Sequence, residues 1–270
     1  MKKNISVLSI AYFTFILLTL LSESLVGISS DVMYYLSFVL PFFAVILFTD
    51  REIPKMGEFS FSAEAKKLLF PTVFPTVLAI ALISLLSSAL ISLFGGTPAS
   101  TDLGEGLIYA LFRYAFLPSI LEEMLFRYLP MRYIAPYSGR CAVLFSAVFF
   151  SLAHHSFFSI PYALFAGAVF MTVNLLCRSS LPSIILHFVN NAVSVVWMMY
   201  FAEKFGGYIL LGVLALPTVL SLAVIFNRRR LYLSRLSDAF SDRGKGIAVT
   251  PVIFAAVISV LAAAVAELAM

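Results

Sequence analysis

Three segments of the chain carry charged, imidazole or amide side chains within otherwise apolar sequence. They contain Glu122, Glu123, Arg127, His154, His155, His187, Asn190 and Asn191, and this set includes all 3 histidines of the chain. An ionisable side chain at membrane depth is costly, so it is a functional hypothesis by default. The concentration of every histidine near two adjacent carboxylates predicts a site for hydrolytic chemistry.

Helical spacing divides the acidic segment into a structural pair and a free carboxylate. Glu123 and Arg127 are four residues apart on one helix face, so we predict an ion pair that orients the site. Glu122 lies about 140° around the helix axis from Arg127 and points elsewhere. A carboxylate in an apolar pocket is a usable general base for water, and we predict this role for Glu122.

The histidine segments supply groups that complement this base. We expect His154 to share or orient the water. His187 and Asn191 are four residues apart and can both donate to a developing oxyanion. Alternatively, Glu122, His154 and His187 would hold zinc, with water in the open fourth position. Either arrangement predicts hydrolysis of a peptide bond inside the membrane.

A structural interpretation of Glu122 is also open. Pro118 can restart a helix in which Ser119 is the N-cap and Glu122 its capping-box partner. In that case Pro118 would kink or break the long apolar stretch 106–135. Transmembrane segments tolerate such a break where they line a cavity.

The immediate neighbours of two site residues are expected to point away from them. His155 lies about 100° around a helix from His154, and Asn190 lies the same angle from Asn191. We therefore interpret His155 as a polar cavity or interface residue and leave Asn190 outside the site. Gly167 is interpreted as a point of close helix packing.

The elements that carry these residues must be membrane helices. The 270 residues are 61% hydrophobic and 12% charged, whereas a soluble domain is about 45–50% apolar and about 25% charged. Disorder is excluded because it requires low hydrophobicity and high charge. The composition therefore predicts an all-α integral membrane protein.

Nine apolar stretches are long enough to span a bilayer, which takes roughly 17–25 residues per helix. They are residues 5–27, 32–49, 68–94, 106–135, 140–157, 159–177, 181–202, 206–226 and 248–268. The first stretch is too long for a signal peptide and has no cleavage site, so we expect an uncleaved span. The number falls to eight if 32–49 or 159–177 does not cross. We predict a polytopic bundle of 8–9 transmembrane helices that forms a single membrane domain over residues 1–270.

Basic residues predict the orientation of this bundle. All but two of the 18 Lys and Arg residues are assigned to one side of the alternating spans, including Arg127 and Arg132 toward the inner end of stretch 106–135; Arg113 lies in the outer part of that stretch and Lys204 on the other side. By the positive-inside rule the N-terminus is cytoplasmic and, with nine spans, the C-terminus is outside. No basic stripe suggests nucleic acid as a partner. Cys141 and Cys177 are interpreted as apolar fillers, since their spacing fits no metal site or disulfide framework.

Counting residues from the inner boundary predicts the depth of the site. Glu122 and His154 are each about 20 Å from that boundary at about 1.5 Å per residue. His187 is expected about two turns shallower, unless its span is tilted or begins below the surface. The three segments can then converge on one buried polar site.

Three motifs, in this order along the chain, resemble those of the CPBP family of intramembrane proteases. They are Glu122-Glu123-x-x-x-Arg127, Phe150-x-x-x-His154 and His187-x-x-x-Asn191. That family includes the type II CAAX prenyl endopeptidases and bacterial relatives linked to bacteriocin maturation and self-immunity. The resemblance covers residues 105–200, a four-helix catalytic core, and leaves residues 1–104 and 201–270 as flanking transmembrane helices.

The resemblance implies a role for each motif residue. Glu122 would be the catalytic base, His154 would help to activate water, and His187 with Asn191 would stabilise the oxyanion. Glu123 and Arg127 would support them. Family members are described both as metalloproteases and as glutamate-dependent enzymes without a metal, so zinc and no cofactor both stay open. Tyr128 departs from the small glycine of many relatives and is expected to reshape the entrance.

The sequence thus predicts an intramembrane endopeptidase of the cell membrane. Its partners would be the lipid bilayer and a peptide or protein substrate in or at the membrane, with no lipid anchor on the substrate assumed. Two other classes are weighed against it. One is a catalytically idle immunity or scaffold protein. The other is a proton-coupled transporter, for which we expect paired repeats with broken helices, and we find no such symmetry.

Overall fold

A computed structural model describes residues 2–23, 25, 28–49, 59–60, 62–93, 103, 106–154 and 159–240. All regular elements among these residues are helices, which confirms the all-α prediction. They are α1 (Lys2–Glu23), α2 (Ile28–Phe48), α3 (Ala63–Leu93), α4 (residues 107–133), α5 (Gly139–Leu152), α6 (Ile160–Cys177), α7 (Leu181–Tyr200), α8 (Ala202–Asn227) and α9 (Arg229–Ala239).

The helices have the length and composition of membrane-spanning elements. Among the described residues, α3, α6, α7 and α8 are long and apolar enough to cross a bilayer, and shorter apolar stretches lie in α1, α2 and α5. Large apolar side chains such as Leu216, Val219 and Leu220 on α8 are exposed, as lipid-facing positions require. The chain is therefore a helical membrane protein. The total of 8–9 spans and the orientation stay predictions, and the predicted span 248–268 lies outside the described residues.

Helix α4 is continuous through its prolines because two π-helical turns widen it. Its α-helical parts Leu107–Leu111, Leu117–Glu123 and Leu129–Tyr133 alternate with the π turns Phe112–Phe116 and Met124–Tyr128. Each π turn ends just before a proline, Pro118 or Pro130. Proline lacks an N–H and its ring clashes with the carbonyl four residues earlier, and a wider turn accommodates both defects.

This geometry shows that the predicted helix restart at Pro118 is wrong. Phe116 precedes the α-helical part that contains Pro118 and has helical backbone angles of φ −72° and ψ −54°. The helix therefore does not begin anew at this point. The Ser119 hydroxyl donates to the Phe116 carbonyl at 2.7 Å instead of capping the Glu122 amide. The capping-box interpretation of Glu122 is therefore excluded, and its carboxylate is available for another purpose.

Close backbone contact holds α5 against α6. A Cβ atom added to Gly167 on α6 would lie 2.7 Å from the Cα of Ala147 on α5, which is too close for any side chain. Small residues permit this approach of membrane helices. The predicted packing role of Gly167 is confirmed, and the contact sets the distance between the two helices that flank the second motif.

Helix α9 packs against the beginning of α3 and the end of α6. The Tyr232 hydroxyl donates to the Leu68 carbonyl at 2.7 Å, and Arg235 forms an ion pair with Glu64 at 2.5 Å. Burial raises the pKa of Tyr232 to about 12, so the phenol stays a neutral donor. These contacts anchor the basic segment after α8 to the bundle.

Candidate active site

One cavity of about 510 Å³ lies between helices α3 to α7. The polar and aromatic side chains that line it are Ser84, Tyr114, Glu122, Phe150, His154, Tyr162, Phe170, His187, Asn190, Asn191 and Ser194. The structure therefore brings the four predicted catalytic residues to a single cavity. Glu123 and Arg127, the predicted supporting residues, are not among its lining residues.

The two adjacent glutamates occupy different environments. The side chain of Glu122 lines the cavity, is 14% exposed and has Oε2 3.8 Å from Nε2 of His187. Glu123 is 1% exposed and its Oε1 forms the predicted ion pair with Nη1 of Arg127 at 3.0 Å. The 100° between consecutive residues of a helix thus separates a carboxylate that faces the cavity from one behind its wall.

Glu123 has a second partner that the sequence did not predict. Its Oε1 accepts a hydrogen bond from Nδ1 of His187 at 2.7 Å. Since Nε2 of the same ring faces Glu122, the imidazole lies between the two carboxylates. No local spacing relates residues 123 and 187, so only the packing of α7 against α4 reveals this contact.

His187 lies level with the two glutamates, which agrees with the alternative prediction that its span begins below the surface. The reason is the start of α7, where Ser179, Ser180 and Ser183 are all buried. The helix begins in the protein interior, so a count from the loop underestimates how deep its first turns lie.

Arg127 is fully buried in an aromatic surrounding. Its guanidinium carbon lies 3.7 Å from the ring centroid of Phe150 and 5.2 Å from that of Phe170. Cation–π contact and the ion pair with Glu123 compensate part of the desolvation of the charge. Phe150, the first residue of the second motif, therefore contributes to the electrostatics of the site as well as to its packing.

His154 is held by the carbonyl of the first residue of its motif. Its Nδ1 lies 2.8 Å from the Phe150 carbonyl oxygen, and because a carbonyl only accepts, Nδ1 carries the proton. In the neutral ring Nε2 is then the basic nitrogen. His154 lies in the turn after α5, whereas His155 lies outside the described residues.

Asn190 and Asn191 interact with each other, which corrects the prediction that Asn190 points away. Nδ2 of Asn190 donates to Oδ1 of Asn191 at 3.1 Å, and both line the cavity. Nδ2 of Asn191 in turn donates to the Tyr114 carbonyl at 3.2 Å. The 100° angle separates the two Cα–Cβ bonds, but the amide groups bend toward each other across the helix surface.

Asn174 and Ser183 form a buried link between α6 and α7 that the sequence analysis missed. Nδ2 of Asn174 donates to the Ser183 hydroxyl at 2.7 Å, and the Ser183 amide donates to Oδ1 of Asn174 at 2.9 Å. Both residues are fully buried, and Ser183 lies one turn before His187. An asparagine within the apolar stretch 159–177 is the signal that would have indicated it.

The residues predicted as zinc ligands are not grouped as a metal site. Among the described residues, no set of three or more His, Cys, Asp or Glu side chains is placed to hold a metal ion. Nδ1 of His187 is bonded to Glu123 and Nδ1 of His154 to a backbone carbonyl, so Nε2 is the nitrogen that each ring has left for water or a metal.

Tyr128, the departure from the motif, lies away from the cavity. Its ring stacks on Phe59 with centroids 5.5 Å apart and an interplanar angle of 10°. It also contacts Phe42 at a centroid distance of 6.0 Å. It is not among the residues that line the cavity, so its described contacts pack α4 against α2 and Phe59.

The fold and the cavity together define a helical membrane protein with a buried carboxylate–imidazole–amide site. Residues 104–193 match the family model described as type II CAAX prenyl endopeptidase Rce1-like, so this part of the chain is similar to the CAAX proteases. The matched third of the chain contains all three motifs, and the family is one of proteases. No curated protein and no solved structure matches the chain.

Proposed function

We propose that this protein is an intramembrane endopeptidase in which Glu122 activates water to hydrolyse a peptide bond of a membrane-associated peptide or protein. The observation that carries the proposal is the difference between the two glutamates. Glu123 is committed to Arg127 and His187, whereas Glu122 presents its carboxylate to a polar cavity within an apolar bundle. A carboxylate so placed has no evident structural use.

In the first step a water molecule in the cavity attacks the carbonyl carbon of the scissile bond while Glu122 accepts its proton. The basic Nε2 of His154 accepts a hydrogen bond from this water and orients a lone pair toward the carbonyl. The bond from Nδ1 of His154 to the Phe150 carbonyl fixes the ring and its tautomer for this task. General-base assistance of this kind contributes roughly 10²–10⁴-fold to a rate.

The same attack moves the π electrons of the carbonyl onto its oxygen, and the resulting oxyanion needs hydrogen-bond donors. His187 supplies Nε2–H when that nitrogen carries a proton, and its Nδ1–H stays bonded to Glu123. Asn191 supplies the N–H of its amide that is not used by the Tyr114 carbonyl. Both donors belong to α7 and are fixed by contacts to α4, so they are oriented before the substrate binds.

In the last step Glu122 gives its proton to the leaving nitrogen and the C–N bond breaks. The products are a peptide with a new carboxyl terminus and one with a new amino terminus, and Glu122 returns to its ionised form. Because unpaired peptide groups are costly in an apolar bundle, the polar wall of the cavity also serves to accept the extended main chain of the substrate.

A comparison of peptide termini in membranes tests the proposal. Cells that lack the protein are complemented with the parent or with Glu122→Gln, and new termini in membrane proteins are identified by mass spectrometry. We expect a set of termini that depends on the parent and disappears with Glu122→Gln. Glu203→Gln, an exposed glutamate on α8, is the matched control and restores the parental set.

The same experiment identifies the substrate class. Termini found near the carboxyl end of prenylated proteins would extend to this chain the activity for which the family is named. Termini in small secreted peptides would indicate maturation of peptides without a lipid anchor. Identical termini from the parent and from a folded Glu122→Gln protein would contradict the proposal.

A further inference from the structure

We infer that Asn190 is a positioning residue that fixes the orientation of the Asn191 amide in the site. The inference rests on the proposed function, because it concerns the donor that Asn191 offers to the oxyanion. Asn190 belongs to none of the three motifs. It nonetheless lines the cavity and is in hydrogen-bond contact with Asn191.

The two contacts of Asn191 define which end of its amide is oxygen and which is nitrogen. Oδ1 accepts from Nδ2 of Asn190 at 3.1 Å, and Nδ2 donates to the Tyr114 carbonyl at 3.2 Å. If the amide turned by 180°, its nitrogen would face a donor and its oxygen would face a carbonyl. Both contacts would then be repulsive, so only one orientation satisfies them.

The carbonyl that accepts from Nδ2 of Asn191 belongs to Tyr114, in the first π turn of α4. Asn191 on the neighbouring helix supplies a donor to that carbonyl. The π turn of α4 and the asparagine pair of α7 are therefore in direct contact, although more than seventy residues separate them.

The orientation matters because an oxyanion discriminates between the two ends of an amide. With the orientation fixed, the remaining N–H of Asn191 is held as a donor at the cavity wall. Without Asn190 only the Tyr114 carbonyl opposes rotation of the amide, so the amide turns more readily and presents that oxygen, which repels the developing negative charge. Loss of one oriented donor of this type lowers kcat by about 10²–10³-fold.

The test replaces Asn190 and measures kcat and KM on a substrate identified as described above. Asn190→Ala removes the donor to Oδ1, and we expect kcat to fall roughly tenfold while KM changes less than about twofold. Asn190→Asp replaces the donor by a carboxylate that only accepts, which favours the reversed amide. We expect the larger loss there, about 100-fold in kcat. Asn190→Gln, which keeps an amide donor, should lose less than Asn190→Ala.

Two controls separate orientation from charge and from folding. In an Asn191→Ala background neither Asn190→Ala nor Asn190→Asp should lower kcat further, because the group that is positioned has gone. Asn227→Asp, at an exposed asparagine at the end of α8, introduces the same charge away from the cavity and should leave kcat at the parental value. Thermal unfolding of each purified variant checks that it is folded.

The inference is wrong if Asn190→Asp retains parental kcat, or if its loss is the same with and without Asn191. The second result would show that the new charge acts directly on the site. Parental cleavage by Glu122→Gln is a different outcome: it would overturn the proposed function and this inference with it.

Discussion

At the scale of the single residue, the adjacent glutamates differ because Glu123 is paired with the buried Arg127, whereas Glu122 faces the cavity. We expect Glu122→Gln to lower the cleavage rate by about 10³-fold or more and to leave stability nearly unchanged, since it removes only the base. Glu123→Gln leaves Arg127 buried without its counter-charge and should cost about 3–5 kcal/mol of unfolding free energy. Cleavage assays and denaturation of both variants measure this contrast. Equal destabilisation of the two variants would contradict the assignment.

The imidazoles bear on the question of a metal. No group of three or more possible metal ligands is found among the described residues, and we propose a glutamate-dependent reaction without zinc. Cleavage by the purified protein should then persist within about twofold after dialysis against phenanthroline. Loss of cleavage that added zinc restores, together with stoichiometric zinc in the untreated protein, would show that the metal is required.

At the scale of the elements, the link between α6 and α7 should be energetically important. Asn174→Ala leaves the hydroxyl and the amide of Ser183 without their partner in a dry interior. Each unsatisfied buried group costs about 1–3 kcal/mol, so we expect a loss of at least about 1–3 kcal/mol in unfolding free energy. Urea or thermal unfolding in detergent checks this, with the exposed Asn227→Ala as the control. A variant as stable as the parent would show that the link contributes little.

The close contact between α5 and α6 leads to a second prediction at the scale of the elements. Gly167→Ala forces the two helices apart because its Cβ would lie 2.7 Å from Cα of Ala147. Overpacking of this kind costs about 1–3 kcal/mol and shifts the helix that leads to His154, so cleavage should fall as well. Gly212→Ala is the matched control, since a Cβ there meets nothing within 4 Å. Both variants can be compared by melting temperature and by cleavage rate.

At the scale of the whole molecule, labelling of the two ends of α8 tests the predicted orientation of the bundle in the membrane. The backbone is kinked at Gly206 (φ 64°, ψ 169°), and the regular part that follows, residues 207–227, extends about 32 Å, enough for the roughly 30 Å hydrocarbon core. The two ends of this part should therefore lie on opposite sides of the membrane. After replacement of Cys141 and Cys177 by serine, an impermeant maleimide should label Lys204→Cys in intact cells. It should label Arg230→Cys only after lysis. The reverse pattern would contradict a cytoplasmic N-terminus.

The sequence predicted those features of the molecule that depend on local spacing. Apolar composition and runs predicted helices in a membrane, and the spacing of four residues predicted the Glu123–Arg127 pair. Contacts between distant segments were not predictable in this way. The bond from His187 to Glu123 and the link from Asn174 to Ser183 depend on how helices pack. In a single sequence, only the presence of polar residues within apolar stretches indicates that such contacts exist.

The two π turns change the directions in which the side chains of α4 point, compared with a regular α-helix. Each holds about one residue more than an α-helical turn, which rotates the segments on its two sides by about 100° relative to a regular helix. A helical wheel drawn with 3.6 residues per turn therefore assigns the wrong inward face to part of residues 107–133. Deleting one residue from Phe112–Phe116 would turn the segment before it away from Asn191, while Glu122 stayed in place. The number of residues in this helix, as well as their identity, is thus part of what aligns the two sides of the cavity.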